Sequence, residues 1–320
     1  MSLVIKDDSV EKNELNIVAN GGTEMMQRGL AERLPAELLS SFQIIPSRVR
    51  DINPDKIPIL WCHDTFNDPE SQHLKDPALR ARFRKIVFVS NHQFMTYHYG
   101  LGVPHSESIV LKNAIVPIEK LNKTPEGDGP IRLIYHTTPH RGLEILVPVF
   151  EYLYKTYGDK IVLDVFSSFK AYGWDDRDLE YKDLLDTCKE HPGINYHGYQ
   201  PNGVVRQALS KAHIFAYPNI WPETSCISLM EAMSAGCAVV CPNYGALPET
   251  GANFPLMYSM HEDRQEHANI FSGVLKQVID KLWSEQIQSR VAFQKDYADA
   301  FYNWNVREME WTNLLTDLRN

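Results

Sequence analysis

Several things are missing from this sequence, and each absence removes a class of protein. No apolar run approaches the roughly 18 residues that a membrane helix needs, and no basic-then-apolar signal opens the chain, which points to a soluble, cytoplasmic protein. Positive charge is in short supply: 32 Lys and Arg stand against 41 Asp and Glu, for a net charge of −9. A nucleic-acid backbone is neutralised by clustered basic side chains, so nucleic acid is excluded as the main partner. The one basic cluster, Arg80–Lys85 (RARFRK), reads as the solvated face of a helix; the alternative is peripheral contact with an anionic membrane or acceptor. Cysteines number five, Cys62, Cys188, Cys226, Cys237 and Cys241, and no His or Cys pair completes a zinc pattern around Cys237-x-x-x-Cys241. Reduced thiols fit this usage. A dinucleotide fingerprint is also absent, because the third glycine of G-x-G-x-x-G is missing after Gly21-Gly22, and no acid follows about 20 positions on. That sets an oxidoreductase aside. No solenoid-type repeat is visible.

What remains is a 320-residue chain with 43% hydrophobic and 23% charged residues, the composition of a globular enzyme of two domains. Short apolar strands alternate with helical segments. Leu15–Ala19 is a strand, followed by a Gly21-Gly22 turn and a helical pattern from Glu24 to Leu39 that Thr23 is placed to cap. Further strands are expected at Phe42–Ile45, Ile57–Cys62, Ile86–Ser90 and Ser108–Leu111, an α/β alternation that makes a parallel sheet. His63-Asp64 follows one of these strands directly and should point beyond its carboxyl end, where ligands sit. The stretch 119–130 is charged and rich in Gly and Pro, and reads as a linker. A second alternating unit follows: strand 131–136, a TTPHRG turn, helix Leu143–Tyr157, and strands at Ile161–Phe166, Asn195–Tyr199 and Ile214–Tyr217. The domains are thus 1–118, 131–303, and a final helix 304–320. In that helix Trp311, Leu314, Leu315 and Leu318 share a stripe that needs a surface, which the first domain would supply.

The stretch Trp221–Asn243, WPETSCISLMEAMSAGCAVVCPN, carries the most chemistry. Glu223 precedes the small residues Thr224, Ser225 and Cys226; a helix with a second acid, Glu231, follows; Gly236 ends it. Ser225 is placed to cap that helix, and the N–H groups of Cys226, Ile227 and Ser228 at its positive end suit a phosphate. Acids on either side of such a site can grip hydroxyls, the shape of a sugar-nucleotide site. A buried helix with two incidental glutamates is the competing reading. Upstream, His136, His140 and Arg141 lie where a diphosphate would meet them, and Arg suits bidentate phosphate contact.

Together these pieces resemble the family-four retaining glycosyltransferases of the GT-B architecture. PETSCISLMEAMSAGCAVV resembles the family's E-x7-E segment, with Thr224-Ser225-Cys226 where Gly-Phe-Gly is usual. Tyr244–Glu249 resembles its Gly-Gly-hydrophobic-Pro-Glu turn, Asn113 its Pro-Asn-Gly motif, and Gly21-Gly22 its glycine turn facing donor and acceptor. The resemblance implies two Rossmann-like domains facing each other across a cleft. It implies that Glu223 contacts the transferred sugar, that Glu231 holds the ribose hydroxyls, and that backbone around Ser225–Ile227 holds the distal phosphate. Arg141 matches the family's Lys at the departing diphosphate, and His63 an acceptor-side His. Two departures stand out: His136 replaces the family's Arg, leaving less or pH-dependent positive charge, and the first domain is short. Base selectivity is expected near Tyr199-Gln200.

The expected reaction is transfer of a hexose from a UDP- or GDP-linked sugar to a hydroxyl of a glycan, lipid-linked or small-molecule acceptor, with retained anomeric configuration. No cofactor and no metal are implied; the Asp-x-Asp of Asp176-Arg177-Asp178, within Asp175–Asp178, reads as a solvated loop or helix start. A non-catalytic sugar-nucleotide or glycan-binding relic of the fold is the alternative, motivated by His136 and the short first domain.

Overall fold

The computed structural model describes residues 21–319, so the strand expected at Leu15–Ala19 lies outside them. The described chain forms two compact units. The first comprises residues 21–114 and 304–319, and the second residues 115–303.

Four parallel strands form the sheet of the first unit: β1 (Phe42–Pro46), β2 (Ile57–Cys62), β3 (Lys85–Phe88) and β4 (Ser108–Val110), in sequential order. Ile59 lies beside Lys85 and Ile86 beside Ser108 in the register. Every residue of β1 is buried, as a parallel strand covered on both faces requires. The helical pattern expected over 24–39 is two helices, Gly22–Arg33 and Ala36–Leu39. Pro35 is the cause: Leu34 before it is extended (φ −79, ψ 143), because the proline ring disfavours helical backbone in the preceding residue. The first helix begins two residues earlier than expected, at Gly22 rather than Glu24. Gly21 is its N-cap, and Thr23 lies inside it rather than capping it.

The basic stretch Arg80–Lys85 is only partly the solvated helix face expected: Arg82 and Arg84 are exposed but lie beyond the helix end. Arg80 closes a four-residue helix (Pro77–Arg80), is buried, and spends its guanidinium on Glu107 (2.8 Å) and the Leu74 carbonyl (2.8 Å). Lys85 opens β3 and donates to the Ser106 carbonyl. Both charges serve the fold of the first unit.

Six parallel strands form the second sheet: β5 (Ile131–Tyr135), β6 (Ile161–Val165), β7 (Ile194–Tyr196), β8 (Ile214–Ala216), β9 (Ala238–Pro242) and β10 (Leu256–Tyr258), in the order β10-β9-β8-β5-β6-β7. Leu133 of β5 sits between Leu163 of β6 and Ile214 of β8, all fully buried. Counted within the unit, this is the 3-2-1-4-5-6 order of a Rossmann fold. Helix Leu143–Tyr157 occupies the range its pattern predicts, bounded by Gly142 and Gly158, and packs against the long helix Arg264–Lys281.

The stretch 119–130 is not a free tether between domains. It belongs to the second unit, where Asn122 N–H donates to the Ser210 carbonyl (2.8 Å), the Lys123 amine donates to the Ala212 carbonyl, and His213 Nε2 meets the Thr124 carbonyl (2.9 Å). Burial lowers the pKa of Lys123. Upstream, Ile115 N–H donates to Tyr302 and Ile118 N–H to Ser234 Oγ, each at 2.8 Å.

The tail is three helices, Arg264–Lys281, Glu285–Phe301 and Trp304–Arg319. Asp263 and Ser284 cap the first two by accepting from Glu266 and Ile287 N–H. The last returns to the first unit: Trp311 meets Trp61 of β2 edge-on at 5.0 Å, with both indoles about 1% exposed. Arg33 lies over the Trp304 ring at 4.7 Å. Removing so large a buried side chain leaves a cavity, so Trp311→Ala should cost about 3–5 kcal/mol. Urea unfolding measures this, and an unchanged midpoint would show that the helix contributes nothing to the unit.

Candidate active site at the strand-order reversal

In an open parallel sheet, a ligand crevice forms where two neighbouring strands send their following segments in opposite directions. Here that pair is β5 and β8. Beyond β5 the chain runs through His136 to a short 3-10 turn, Pro139–Arg141; beyond β8 it runs through Tyr217 to Glu223. The two loops meet main chain to main chain. Gly142 has φ +124, and a Cβ there would lie 2.1 Å from the Pro218 carbonyl oxygen, so no side chain fits.

This contact brings Arg141 to Glu223. The guanidinium Nη1 pairs with Glu223 Oε1, and Tyr217 donates its hydroxyl to the same oxygen at 2.5 Å. Glu223 is 4% exposed. Its backbone is held from behind by the loop after β9: Gly245 (φ +59) leaves 2.7 Å between a hypothetical Cβ and Glu223 N, and Ala246 N–H donates to the Glu223 carbonyl (2.8 Å). Burial opposes the charge on Arg141, but the carboxylate beside it more than restores it and holds the pKa above the usual arginine value. Burial first, then the same carboxylate, keeps Tyr217 protonated as a donor. The exposed ring of Trp221 lies 5.9 Å from the Arg141 guanidinium and edge-on to His140 (4.9 Å).

Beside this pair starts the helix Ile227–Ser234. Its N-cap is Cys226, with no side-chain cap, so the capping expected of Ser225 does not occur. Ser225 falls one residue too early. Ser228 Oγ lies 3.4 Å from the His136 carbonyl, which sets the helix start against the β5 loop. The first N–H groups of a helix have no partner within it and carry its positive end; Cys226, Ile227 and Ser228 supply them here. Thr224 and Ser225 are half-buried just before. Glu231, one turn further in and 4% exposed, pairs with Arg206 (3.0 Å) and accepts from Asn202. Burial raises its pKa, and Arg206 opposes that rise.

The other expected site residues lie as follows. His136 is half-buried against Phe215 (4.7 Å), and burial holds its pKa down to about 3. It is therefore neutral at pH 7, and the pH-dependent charge expected from it is absent. His140 is stacked on Phe169 (5.2 Å) and likewise lowered to about 3, by burial and then by Arg141 and Arg177. Tyr199 and Gln200 follow β7, with Gln200 donating to the His197 carbonyl (3.0 Å). In the first unit, Gly21 and Gly22 begin the first helix. His63 follows β2 with its N–H on Ser47 Oγ (2.8 Å) and its ring 4.6 Å from Trp61, and burial lowers its pKa to about 3. Within the Asp175–Asp178 stretch, Asp178 accepts from Ser168 Oγ (2.5 Å) and Phe169 N–H (2.8 Å), bonds that fix the local turn. Tyr217, Asn202 and Arg206 were missed in the sequence. Tyr217 ends an apolar strand like any core tyrosine, and nothing in the spacing ties Arg206 to Glu231.

Three histidines lowered to about 3 make acid stability predictable. The folded pKa of His63, His136 and His140 is about 3 against 6.5 for the free side chain, so between these values the unfolded chain takes up protons first. Stability is full above about pH 6.5 and falls as pH drops towards 3. His136→Gln should make that decline shallower in urea titrations across this range; an equal slope would mean that His136 titrates normally.

Residues 120–255 match the family model described as Glycosyl transferases group 1. The O-antigen chain mannosyltransferase B of Escherichia coli is 28% identical over 148 residues, which is 46% of this chain and 34% of that protein. The chain thus matches about a third of the length of this curated relative. A crystal structure of a glycosyltransferase from Rickettsia africae ESF-5 superposes with a TM-score of 0.68 at 14% identity, covering 97% of this chain and 83% of the other. HepE of Anabaena, crystallised with UDP-glucose, superposes with a TM-score of 0.64 at 12% identity, covering 90% and 82%. The chain resembles the group 1 glycosyltransferases in sequence over residues 120–255, and its two parallel-sheet units have the GT-B fold.

Proposed function

We propose that the protein is a retaining glycosyltransferase that moves a hexose from a nucleoside diphosphate sugar to an acceptor hydroxyl. The observation that carries this reading is the buried Arg141–Glu223 pair beside a helix start at the strand-order reversal. The match of residues 120–255 to group 1 glycosyltransferases supports it, as does the binding of UDP-glucose by a protein of the same fold.

In this proposal Glu223 accepts hydrogen bonds from the transferred sugar. The N–H groups around Cys226–Ser228 hold the distal phosphate, and Arg141, with four further N–H donors, reaches the diphosphate. Glu231 accepts from ribose, and the backbone near Tyr199-Gln200 reads the base. The bond from the anomeric carbon to the phosphate oxygen breaks, and its electron pair leaves with the phosphate. The acceptor oxygen attacks on the same face and its proton passes to the leaving phosphate. Charge growing on that phosphate is what the site must stabilise. With His136 neutral, Arg141 and the helix end carry that task. Gly21, Gly22 and His63 are assigned to donor and acceptor contact from the first unit, with a glycan, lipid-linked or small molecule as acceptor and UDP or GDP as carrier.

The neutral His136 also favours a second reading, a sugar-nucleotide or glycan-binding protein without turnover. Binding of UDP or GDP with neither hydrolysis nor transfer of any nucleotide sugar would establish it.

Two measurements test the first reading. Glu223→Gln should lower turnover about a hundredfold or more, the scale of losing one preorganised polar partner, when rates are normalised to folded protein. Wild-type turnover would remove Glu223 from the site. The proposal also assigns no step to a metal, so activity should survive EDTA; its loss, with recovery on adding a divalent cation, would reverse that assignment.

A further inference from the structure

The second acid of the site is held in a way that its expected role does not require. Glu231 Oε1 receives the Arg206 guanidinium Nη1 at 3.0 Å, and Asn202 Nδ2 lies 3.2 Å from Oε1 and 3.3 Å from Oε2. Both partners come from one helix, Asn202–Leu209, which starts directly after Tyr199-Gln200-Pro201. Arg206 itself is anchored elsewhere: its Nη2 donates to the Val116 carbonyl (2.7 Å) and the Pro117 carbonyl (3.1 Å). These carbonyls are stationary, because Ile115 N–H is bonded to Tyr302 and Ile118 N–H to Ser234 Oγ.

A buried carboxylate with a swinging partner changes both direction and charge as the partner moves. Arg206 cannot swing, since one face of its planar fork is committed to two backbone carbonyls while the other grips the acid. The Asn202 amide then fixes the rotation of the carboxylate plane. An ionised carboxylate offers about four acceptor positions, so the contacts from this helix leave capacity for a hydroxyl donor. Burial favours the protonated acid, which donates on one oxygen and discriminates poorly; the guanidinium and the Asn202 amide both oppose that by donating to the carboxylate oxygens.

We propose that Arg206, assisted by Asn202, is the positioning residue that holds Glu231 as a fixed acceptor for a ribose 2′-hydroxyl, and so sets preference for ribonucleotide over deoxyribonucleotide donors. The inference rests on the assignment of Glu231 to ribose made above. A structural role for Arg206 in holding residues 116–117 would weaken all nucleotides alike. A positioning role weakens only those that carry the hydroxyl.

The test is calorimetric titration of the full chain with UDP, GDP and their 2′-deoxy counterparts. For whichever base binds, wild type should favour the ribonucleotide about tenfold or more, the worth of one hydrogen bond to a charged group. In Arg206→Met the ratio should fall towards one, with Arg206→Lys intermediate. Asn202→Ala leaves the ion pair in place and should lower the ratio by a smaller factor, so the test stands even if the methionine variant fails to fold. A wild-type preference that persists in Arg206→Met overturns the role of Arg206 and leaves the ribose assignment standing; where the methionine variant does not fold, a wild-type preference in both Arg206→Lys and Asn202→Ala does the same. A wild-type ratio of one removes the ribose assignment itself, and the inference with it.

Discussion

The second unit depends on an ion pair that neither partner could sustain alone. A carboxylate and a guanidinium taken out of water each lose several kcal/mol of hydration, recovered only by close pairing and by partners for what remains. Arg141 and Glu223 meet this condition because Tyr217 donates to the shared oxygen and the loop at Gly245-Ala246 holds the Glu223 backbone. The partners are 82 positions apart in sequence. They meet because β5 and β8 are neighbours in the sheet, and that adjacency is the one point where strand order reverses. Strand order, loop contact and buried charge form a single constraint.

Two acids, each with its own arginine, divide the site into halves of different stiffness. Arg141 ends a short 3-10 turn and its side-chain bond to Glu223 uses one guanidinium nitrogen, so in the proposed function its pairing is shared with the diphosphate. Arg206 is committed on both sides, to Glu231 and to two carbonyls. One pair is built to be shared and the other to stay still.

Much of this was legible in the chain, for reasons that particular residues make plain. Helix Leu143–Tyr157 was readable to the residue because a strong apolar stripe runs between two glycines that end it. The buried strands announce themselves as apolar runs, and the acids of Trp221–Asn243 are conspicuous because glutamate inside such a run needs a partner. What failed was local geometry and long-range pairing. Thr23 and Ser225 have capping side chains, but capping is decided by which residue leaves helical backbone, and Gly21 and Cys226 do so. The polar composition of 119–130 suggested a tether, whereas Asn122 and Lys123 spend that polarity on carbonyls of the second unit. Arg206 is invisible in sequence because its partner lies 25 positions away on another helix.

The glycines at 142 and 245 carry one more consequence. Each lets backbone touch backbone on a flank of the Glu223 loop, at the Pro218 carbonyl and at Glu223 N. The height of the acid above the sheet is thereby gauged by peptide planes, whose dimensions do not vary with side-chain identity. A side chain at either glycine would have to push main chain aside, so a substitution there would be felt at the carboxylate as a displacement rather than as a lost contact.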